Sequence, residues 1–418
     1  MPPYINTMNN LIIENARVVT PIGKESVKGK AMGKLKEIPD AVIVIQDGII
    51  IYVGDKNHTP DLSDAVHLDA KGNVVLPGFV DSHTHLVFGG FRPDEFEWRL
   101  KGDTYMSIME RGGGIQSTVN ATKESSEEAL RKKAEWFLEK MSEMGVTTVE
   151  AKSGYGLDFE TELKMLEVIR QLNGNPNPII DIIPTFLGAH AVPPEYKGKT
   201  SEYVDLLIEM MPKLKEKAMF CDVFCEKNVF EIEDSRRLLE AAREHGFKLK
   251  LHADEIVTLG GGELSAELKA VSADHLLHVS DDGVKKMAEA GVVATLLPLT
   301  AFALKEPYAP ARKFIEAGCA VALATDLNPG SCFSGSIPLT IALACIYMNM
   351  SIEETITALT LNGAAALDLA QEIGTIEVGK RGDLIMLSSD NYRVLPYYVG
   401  MNCVTTTIYR GSIVNSSL

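Results

Sequence analysis

Residues 76–93 read LPGFVDSHTHLVFGGFRP, and they set the interpretation of the rest of the chain. An apolar run ends in two histidines, His83 and His85, which are separated by a single residue. Because successive side chains of a β-strand point to opposite faces, both imidazoles would project the same way from one strand end. Two imidazoles directed at one point predict a metal site at the end of this strand.

Composition and charge narrow the class of protein. The chain has 418 residues, of which 45% are hydrophobic and 23% charged, so it can bury a sizeable core. Its formal net charge of −16 argues against nucleic-acid binding, since phosphate contacts require a basic surface. The N-terminus lacks a signal-peptide pattern, and no uncharged run approaches the roughly 20 residues of a membrane helix. Six scattered cysteines fit reduced thiols. We therefore expect a cytoplasmic protein without a nucleic-acid or membrane partner.

The two ends of the chain have a different residue pattern from its middle. LIIENARVVT at 11–20 and VTTTIYRGSIV at 404–414 are rich in β-branched residues. Between these ends, eight short apolar strand candidates alternate with amphipathic helices, the pattern of βα units around a parallel sheet. The sequence therefore predicts an α/β fold. It consists of a (β/α)8 TIM-like barrel over residues 76–369 and a small β-sheet domain formed by residues 1–75 and 370–418.

In a (β/α)8 barrel, catalytic residues lie where the strands end at the C-terminal face. Five of the nine histidines fall at such predicted strand ends, together with several carboxylates. The residues that close the predicted strands are Asp81, His83, His85, Glu150, Lys152, His190, His252, Glu255, His275 and Asp326. The predicted site is therefore this rim of the barrel.

Four of these residues form a ligand set for a divalent cation. His83, His85, His252 and Asp326 offer three imidazoles and a carboxylate, which zinc and iron(II) both accept. We predict that they bind a divalent metal, either zinc or iron. Such a cation lowers the pKa of a bound water from about 15.7 toward 7, which makes hydrolysis feasible at neutral pH.

The proton of that water needs an acceptor, and three residues at the same strand ends could take part in the reaction. Glu255 lies three residues beyond His252 in the motif HADE, and a non-ligand glutamate beside activated water is the arrangement of zinc deaminases. His275 could polarise the forming oxyanion, and Asp326 could accept a proton as well as ligate the metal. Glu255, His275 and Asp326 are therefore the predicted catalytic residues. A core or loop histidine is the alternative for His275 and for His190.

Four motifs resemble the amidohydrolase superfamily: PGFVDSHTH at 77–85, HADE at 252–255, ATDLNPGS at 324–331 and GTIEVGKRGDLIML at 374–387. The resemblance implies a metal-dependent hydrolase barrel with a β-sandwich made from both chain ends. Binuclear members of that superfamily use a carbamylated lysine on strand four. Here that strand ends in FCEKNVF, without a lysine at the inward end of its apolar run, so we expect one divalent metal per chain.

Longer stretches are similar to one branch of this superfamily, among them TTVEAKSGYGLDFETELKML at 147–166 and PTFLGAHAVPPEY at 184–196. Members of that branch hydrolyse the cyclic amide 4-imidazolone-5-propanoate to N-formimidoyl-L-glutamate in histidine degradation. The resemblance implies this small molecule as substrate and a homodimer as the assembly. It also implies a substrate-binding set: Arg92, Tyr155, His190, Asn328, Gly330 and Ser331.

Chemistry supports part of this set independently. The guanidinium of Arg92 could bind the propionate of such a substrate through two parallel hydrogen bonds. A surface salt bridge of Arg92 with Asp94 or Glu95 is the alternative. Tyr155 could add a hydroxyl, or it could serve packing alone.

Two other functions stay open on the sequence. A deaminase of the cytosine or guanine type would use the same His-x-x-Glu pair, and release of ammonia would identify it. A scaffold that binds metal and a partner would turn over no cyclic amide. The presence of Glu255, His275 and Asp326 argues against such a scaffold.

Overall fold

The computed structural model describes residues 10–103, 107 and 111–417. Its strands fall into two sheets of eight. The strands are β1 (Leu11–Thr20), β2 (Lys36–Gln46), β3 (Ile49–Asp55), β4 (Val66–Asp69), β5 (Val74–Pro77), β6 (Phe79–Asp81), β7 (Val146–Lys152), β8 (Asp181–Ala189), β9 (Phe220–Cys225), β10 (Lys248–Ala253), β11 (Ser272–His275), β12 (Val293–Leu296), β13 (Val321–Leu323), β14 (Leu384–Leu387), β15 (Val404–Tyr409) and β16 (Ser412–Ser416).

Eight strands, β6 to β13, lie side by side in sequence order and form the barrel. Each neighbouring pair is parallel. The first and last strands meet just beyond their ends, where Thr84 forms a parallel bridge with Leu327 and the Asp326 amide donates to the His83 carbonyl at 3.0 Å. This contact closes the ring and places His85 next to the end of strand eight. The predicted (β/α)8 barrel is confirmed.

Helices follow most of the barrel strands, and polar side chains start several of them. Ser126 accepts from the Ala129 amide and Asp158 accepts from the Thr161 amide, which satisfies amides that a helix start leaves free. The helices are α1 (Pro93–Leu100), α2 (Ile115–Glu124), α3 (Glu127–Glu143), α4 (Phe159–Asn173), α5 (Thr200–Leu214), α6 (Ile232–Glu244), α7 (Gly261–Glu267), α8 (Asp281–Ala290), α9 (Pro298–Leu304), α10 (Ala311–Glu316), α11 (Ile337–Tyr347), α12 (Ile352–Leu359), α13 (Leu361–Ala365) and α14 (Val394–Tyr397). Within the described residues, none of the helices is long and apolar enough for a membrane crossing.

The second sheet is mixed and takes its strands from both ends of the chain. Its order is β16-β15-β14-β5-β1-β2-β3, and β4 pairs with β1. Ile13, Ile43, Val75 and Leu384 pack in its core and are fully buried. The β-rich ends of the chain therefore meet in one sheet, as their composition predicted. The domain limits 1–75, 76–369 and 370–418 stay a prediction, and residues 1–9 lie outside the described residues.

The apolar run that precedes the paired histidines forms two strands where we expected one. β5 pairs with β14 in the end sheet, whereas β6 pairs with β7 in the barrel. Gly78 separates them, and a Cβ at this position would lie 2.2 Å from Oγ1 of Thr147. Because no side chain fits there, glycine is what allows the chain to pass directly from one sheet to the other. The histidines follow the second of these short strands.

Candidate active site and metal centre

Five buried side chains converge at the C-terminal end of the barrel. His83, His252 and His275 form one group and His83, His85 and Asp326 another, and in each group the ligand atoms lie within 4.8 Å of one another. All five residues are at most 3% exposed. The structure thus brings together the four predicted metal ligands, and His275, which we predicted to be catalytic, lies beside them.

Two polar atoms at the centre of this cluster lack a hydrogen-bond partner among the described residues. Nε2 of His83 and Oδ1 of Asp326 are buried and find no hydrogen-bond partner in the described part of the chain. Nε2 of His83 and Nε2 of His85 each lie 3.5 Å from that Asp326 oxygen, and Nε2 of His252 lies 3.5 Å from Nε2 of His85. Because unpartnered buried polar atoms are costly, imidazole nitrogens and a carboxylate oxygen converging in this way fit a divalent cation.

Two aspartates lie behind two of these histidines. Nδ1 of His83 hydrogen-bonds Oδ2 of Asp274 at 2.6 Å, whereas Nδ1 of His252 lies at an ion-pair distance of 3.0 Å from Oδ2 of Asp222 without hydrogen-bond geometry. A histidine that donates one ring N–H to a carboxylate presents its other nitrogen as a lone pair, which is the usual arrangement behind a metal ligand. Asp222 lies in β9 and Asp274 in β11. Neither aspartate was predicted as a site residue from the sequence.

Burial sets the protonation of the cluster. It lowers the pKa of His83 and of His85 well below the ordinary value, so both imidazoles are neutral and available as ligands. Burial alone would also lower the pKa of His252, but the Asp222 carboxylate outweighs it and the pKa is raised. Burial raises the pKa of Asp326 to about 6. A cation therefore competes with protons near neutral pH chiefly at His252 and Asp326.

Glu255, the predicted proton acceptor, lies beside His275. It follows β10, and its Oε2 lies 3.5 Å from Nε2 of His275. Burial, with a smaller contribution from the Asp326 carboxylate, raises the pKa of Glu255 to about 8. A carboxyl group whose pKa lies near the working pH is suited to take up and return a proton. His275 itself has a left-handed backbone φ of 74°, an uncommon conformation for a side chain of this size.

Two further predicted residues extend the polar cluster. The ring of His190 stacks on His85 with centroids 4.8 Å apart, and the Tyr155 ring lies 5.1 Å from that of His190. Nδ1 of His190 lies 3.1 Å from the Gly154 carbonyl oxygen, which can only accept, so Nδ1 carries the hydrogen and Nε2 is left as an acceptor. Burial lowers the pKa of His190 to about 3 and raises that of Tyr155. Both groups are neutral at pH 7.

Arg92 lies against the loop that follows strand eight. A Cβ on Gly330 would fall 1.8 Å from Nη2 of Arg92, so only glycine leaves room for the guanidinium. The Arg92 side chain is 10% exposed, and its one ion pair among the described residues, to Glu95, is long at 3.4 Å. Its Nε is buried without a hydrogen-bond partner among the described residues. The alternative salt bridge is thus present but weak, and the guanidinium keeps donors for a carboxylate.

Asn328 uses its side chain within its own loop. Its Oδ1 accepts from the amides of Gly330 at 2.8 Å and Ser331 at 2.7 Å. Its Nδ2 donates to the Asp326 carbonyl and to the Ser331 hydroxyl, each at 2.8 Å. Asn328 therefore shapes the loop that carries Asp326 and backs Arg92. Direct contact of Asn328, Gly330 or Ser331 with a substrate stays a prediction.

A fully buried ionic network, which the sequence analysis did not identify as a unit, lies beneath the cluster. Its members are Glu150, Lys152, Asp222, Lys250 and Asp274, all 0% exposed. A signal was present in the sequence: Glu150 and Lys152, like Lys250 and His252, are two residues apart within a strand. Such pairs point to the same face, here the interior of the barrel.

The chain is similar to known proteins over most of its length. The amidohydrolase family model matches residues 74–414. An imidazolonepropionase of Bacteroides thetaiotaomicron is 65% identical over 410 residues, which are 97% of this chain and 98% of that protein. An imidazolonepropionase of Phocaeicola vulgatus is 63% identical over 412 residues, which are 98% of this chain and 100% of that protein.

A solved structure shares the fold at much lower identity. The 5-methylcytosine deaminase of Klebsiella pneumoniae, liganded with 5-fluorocytosine, aligns with a TM-score of 0.73 and 18% identity. The alignment covers 98% of this chain and 98% of that one. At this identity the likeness concerns the fold alone.

Proposed function

The chain belongs to the amidohydrolase family, and we propose which of its residues hydrolyse a cyclic amide. The reaction is the conversion of 4-imidazolone-5-propanoate to N-formimidoyl-L-glutamate in histidine degradation, because imidazolonepropionases match nearly the full chain at 63% and 65% identity. One observation carries the assignment of residues: His83, His85, His252 and Asp326 converge in a buried cluster in which Nε2 of His83 and Oδ1 of Asp326 have no hydrogen-bond partner among the described residues.

These four residues would hold one divalent cation, zinc or iron. When bound, such a cation supplies Lewis acidity to the reacting carbonyl and lowers the pKa of a water. The protein contributes neutral imidazoles, because burial keeps the pKa of His83 and of His85 low. The carboxylates of Asp274 and Asp222 lie against Nδ1 of His83 and of His252, so both rings are oriented before a cation is bound.

The substrate's propionate pairs with Arg92. Its guanidinium has spare donors, lies in a site that is only 10% exposed, and is backed by Gly330. A planar guanidinium and a carboxylate form two parallel hydrogen bonds, which fixes the orientation of the substrate. The neutral Tyr155 hydroxyl and Nε2 of His190, beside His85, are then available to the polar atoms of the ring.

Three residues move protons and stabilise charge. Glu255 accepts a proton through its carboxylate as the water oxygen bonds to the ring carbonyl carbon. His275, 3.5 Å from Glu255, hydrogen-bonds the carbonyl oxygen as negative charge develops on it. Glu255 then returns the proton to the ring nitrogen as the C–N bond breaks, which leaves an N–H on the formimidoyl group. The second proton of the water is lost when the new carboxyl group ionises to a carboxylate. Asp326, held by the Thr300 hydroxyl at 2.6 Å, would be one of the residues that hold the cation, and its carboxylate is a second proton acceptor beside Glu255.

Turnover of freshly generated 4-imidazolone-5-propanoate, followed by loss of its ultraviolet absorbance, tests this proposal. Metal content is measured on the same sample, and Glu255→Ala serves as the control. We expect rapid turnover, one zinc or iron per chain, and an inactive variant that keeps its metal. Ammonia released from cytosine or guanine without ring opening would assign a deaminase instead. Metal without any turnover would assign a scaffold.

We also infer a homodimer that works in the cytoplasm. The resemblance to the family supports the dimer, and sedimentation of the purified protein at several concentrations tests it. The six cysteines support a reducing compartment, because all are free and five are buried.

A further inference from the structure

The buried ionic network is centred on one ammonium group. Nζ of Lys152 lies 2.7 Å from Oδ2 of Asp222, 2.9 Å from Oε2 of Glu150 and 3.6 Å from Oδ2 of Asp274. All four side chains have no exposed surface. Burial would by itself lower the pKa of Lys152, but the three carboxylates outweigh it and raise the pKa far above the ordinary value. Lys152 is therefore a permanent cation inside the barrel.

The oxygens that Lys152 approaches are the ones that orient the metal ligands. Oδ2 of Asp222 also lies 3.0 Å from Nδ1 of His252, and Oδ2 of Asp274 also lies 2.6 Å from Nδ1 of His83. Each carboxylate oxygen is thus shared between the ammonium and an imidazole. A displacement of Lys152 would therefore affect each imidazole ring through one carboxylate oxygen, that of Asp222 for His252 and that of Asp274 for His83.

A second ammonium does not duplicate this arrangement. Nζ of Lys250 lies 3.4 Å from Glu150, farther than the 2.9 Å of Lys152. It lies 3.7 Å from Asp274, close to the 3.6 Å of Lys152. Its shorter contacts go to backbone carbonyls, those of Ser82 at 3.1 Å and Ala366 at 3.3 Å. Among the ion pairs of the described residues, only Lys152 contacts both Asp222 and Asp274.

We propose that Lys152 is a positioning residue of the metal site, holding Asp222 and Asp274 so that His252 and His83 present their free nitrogens to one point. The inference rests on the proposed function, since it concerns the cation of that site. Without the ammonium, Asp222 would lose its only lysine neighbour among the described residues, whereas Asp274 would keep Lys250 at 3.7 Å. Asp222, and to a smaller extent Asp274, would then be free to turn away from the imidazole ring that it contacts.

The test compares Lys152→Met with Lys380→Met in the full-length protein loaded with zinc or with cobalt(II). Lys380 is a matched control because it is equally buried and donates to three backbone carbonyls, those of Gly23, Ala370 and Ile373. Zinc affinity is measured by competition with a chelator, and the visible spectrum of the cobalt(II) protein reports ligand geometry. We expect Lys152→Met to lose about 10- to 100-fold in zinc affinity and to change the cobalt spectrum. Lys380→Met should lower stability while leaving both unchanged.

A folded Lys152→Met protein with wild-type zinc affinity and cobalt spectrum would overturn the proposal and leave Lys152 as a charge neutraliser. If that variant does not fold, Lys152→Met combined with Asp222→Asn removes one positive and one negative group together. The double variant should fold and still bind zinc weakly, and wild-type affinity in it would also refute the role. Turnover by the wild-type protein tests the proposed function separately, because zinc affinity and the cobalt spectrum do not depend on the substrate.

Discussion

One methyl group at Gly330 should disable substrate binding without touching the metal. In Gly330→Ala the new Cβ would lie 1.8 Å from Nη2 and 2.8 Å from Cζ of Arg92. Gly330 does not have a left-handed φ, so alanine fits the backbone and the strain falls on the guanidinium. Nη2 must retreat by about 1.6 Å to reach the 3.4 Å of an ordinary contact.

The size of the effect follows from that displacement. A hydrogen bond near 2.9 Å that lengthens by roughly this amount is no longer a hydrogen bond. A hydrogen bond to a charged group contributes about 1.5–3 kcal/mol, so loss of one or two of them costs about 3 kcal/mol. This corresponds to roughly a 100-fold change in an equilibrium constant. Because the propionate is remote from the reacting bond, the loss should appear as a higher KM with kcat nearly unchanged.

Steady-state kinetics on four variants check this reasoning. Gly335→Ala is the control, because its Cβ would lie 3.3 Å from the flexible Met141 side chain, and it should behave like the wild type. Gly330→Ala should raise KM, and adding Arg92→Met to it should raise KM no further than Arg92→Met does alone. Independent, additive effects of the two substitutions would show that Gly330 does not act through Arg92. A wild-type KM in Gly330→Ala would remove Arg92 from the substrate site.

Three other outcomes follow from the site. Glu255→Gln keeps the size of the side chain but cannot accept the proton, so kcat should fall by about 10²- to 10⁴-fold while metal content stays unchanged, and a smaller fall would place the base elsewhere. A cation requires the deprotonated forms of Asp326 and His252, and the pKa of each is raised, that of Asp326 to about 6. Zinc affinity should therefore be full above these pKa values and should fall as the pH drops through them. Chelator competition between about pH 5 and 8 measures it, and an affinity that is flat over this range would exclude the carboxylate as a ligand. Glu162→Gln should raise KM by freeing the Tyr155 loop, since one amide-accepting oxygen is replaced by a donor, and unchanged kinetics would show that this loop does not position the substrate.

Much of the fold and the outline of the site could be predicted from local patterns. Alternating apolar strands and amphipathic helices indicated the barrel, and the polar residue after each apolar run indicated a candidate site at its rim. His83, His85, His252 and Asp326 were predicted as ligands on this basis, because each lies at or just after a strand end, where a polar side chain is conspicuous. The split of the first run at Gly78 was missed, since its cause is the Thr147 side chain of the next strand.

The residues behind the metal ligands were missed for a different physical reason. Asp222 and Asp274 lie within β9 and β11, and their partner Lys152 ends β7. These are alternate strands of the barrel, whose inward side chains meet in one layer. A period of two in the sequence shows that a side chain points inward, but it does not show which charge lies opposite. That information exists only once the ring of strands has closed.

Two loops of the candidate site, the one that carries Tyr155 and the one that carries Glu255, are each held by a buried carboxylate that accepts hydrogen bonds from backbone amides. Glu162 accepts from the amides of Gly154 at 3.0 Å, Gly156 at 2.8 Å and Leu157 at 2.9 Å, and so encloses Tyr155. Asp254, the residue before Glu255, accepts from four consecutive amides of residues 259–262 at 2.8–3.2 Å. A loop whose amides are bound by a buried charge has little freedom to reorganise. The positions of the phenol and of the proton acceptor are therefore set before substrate binds, as electrostatic catalysis requires.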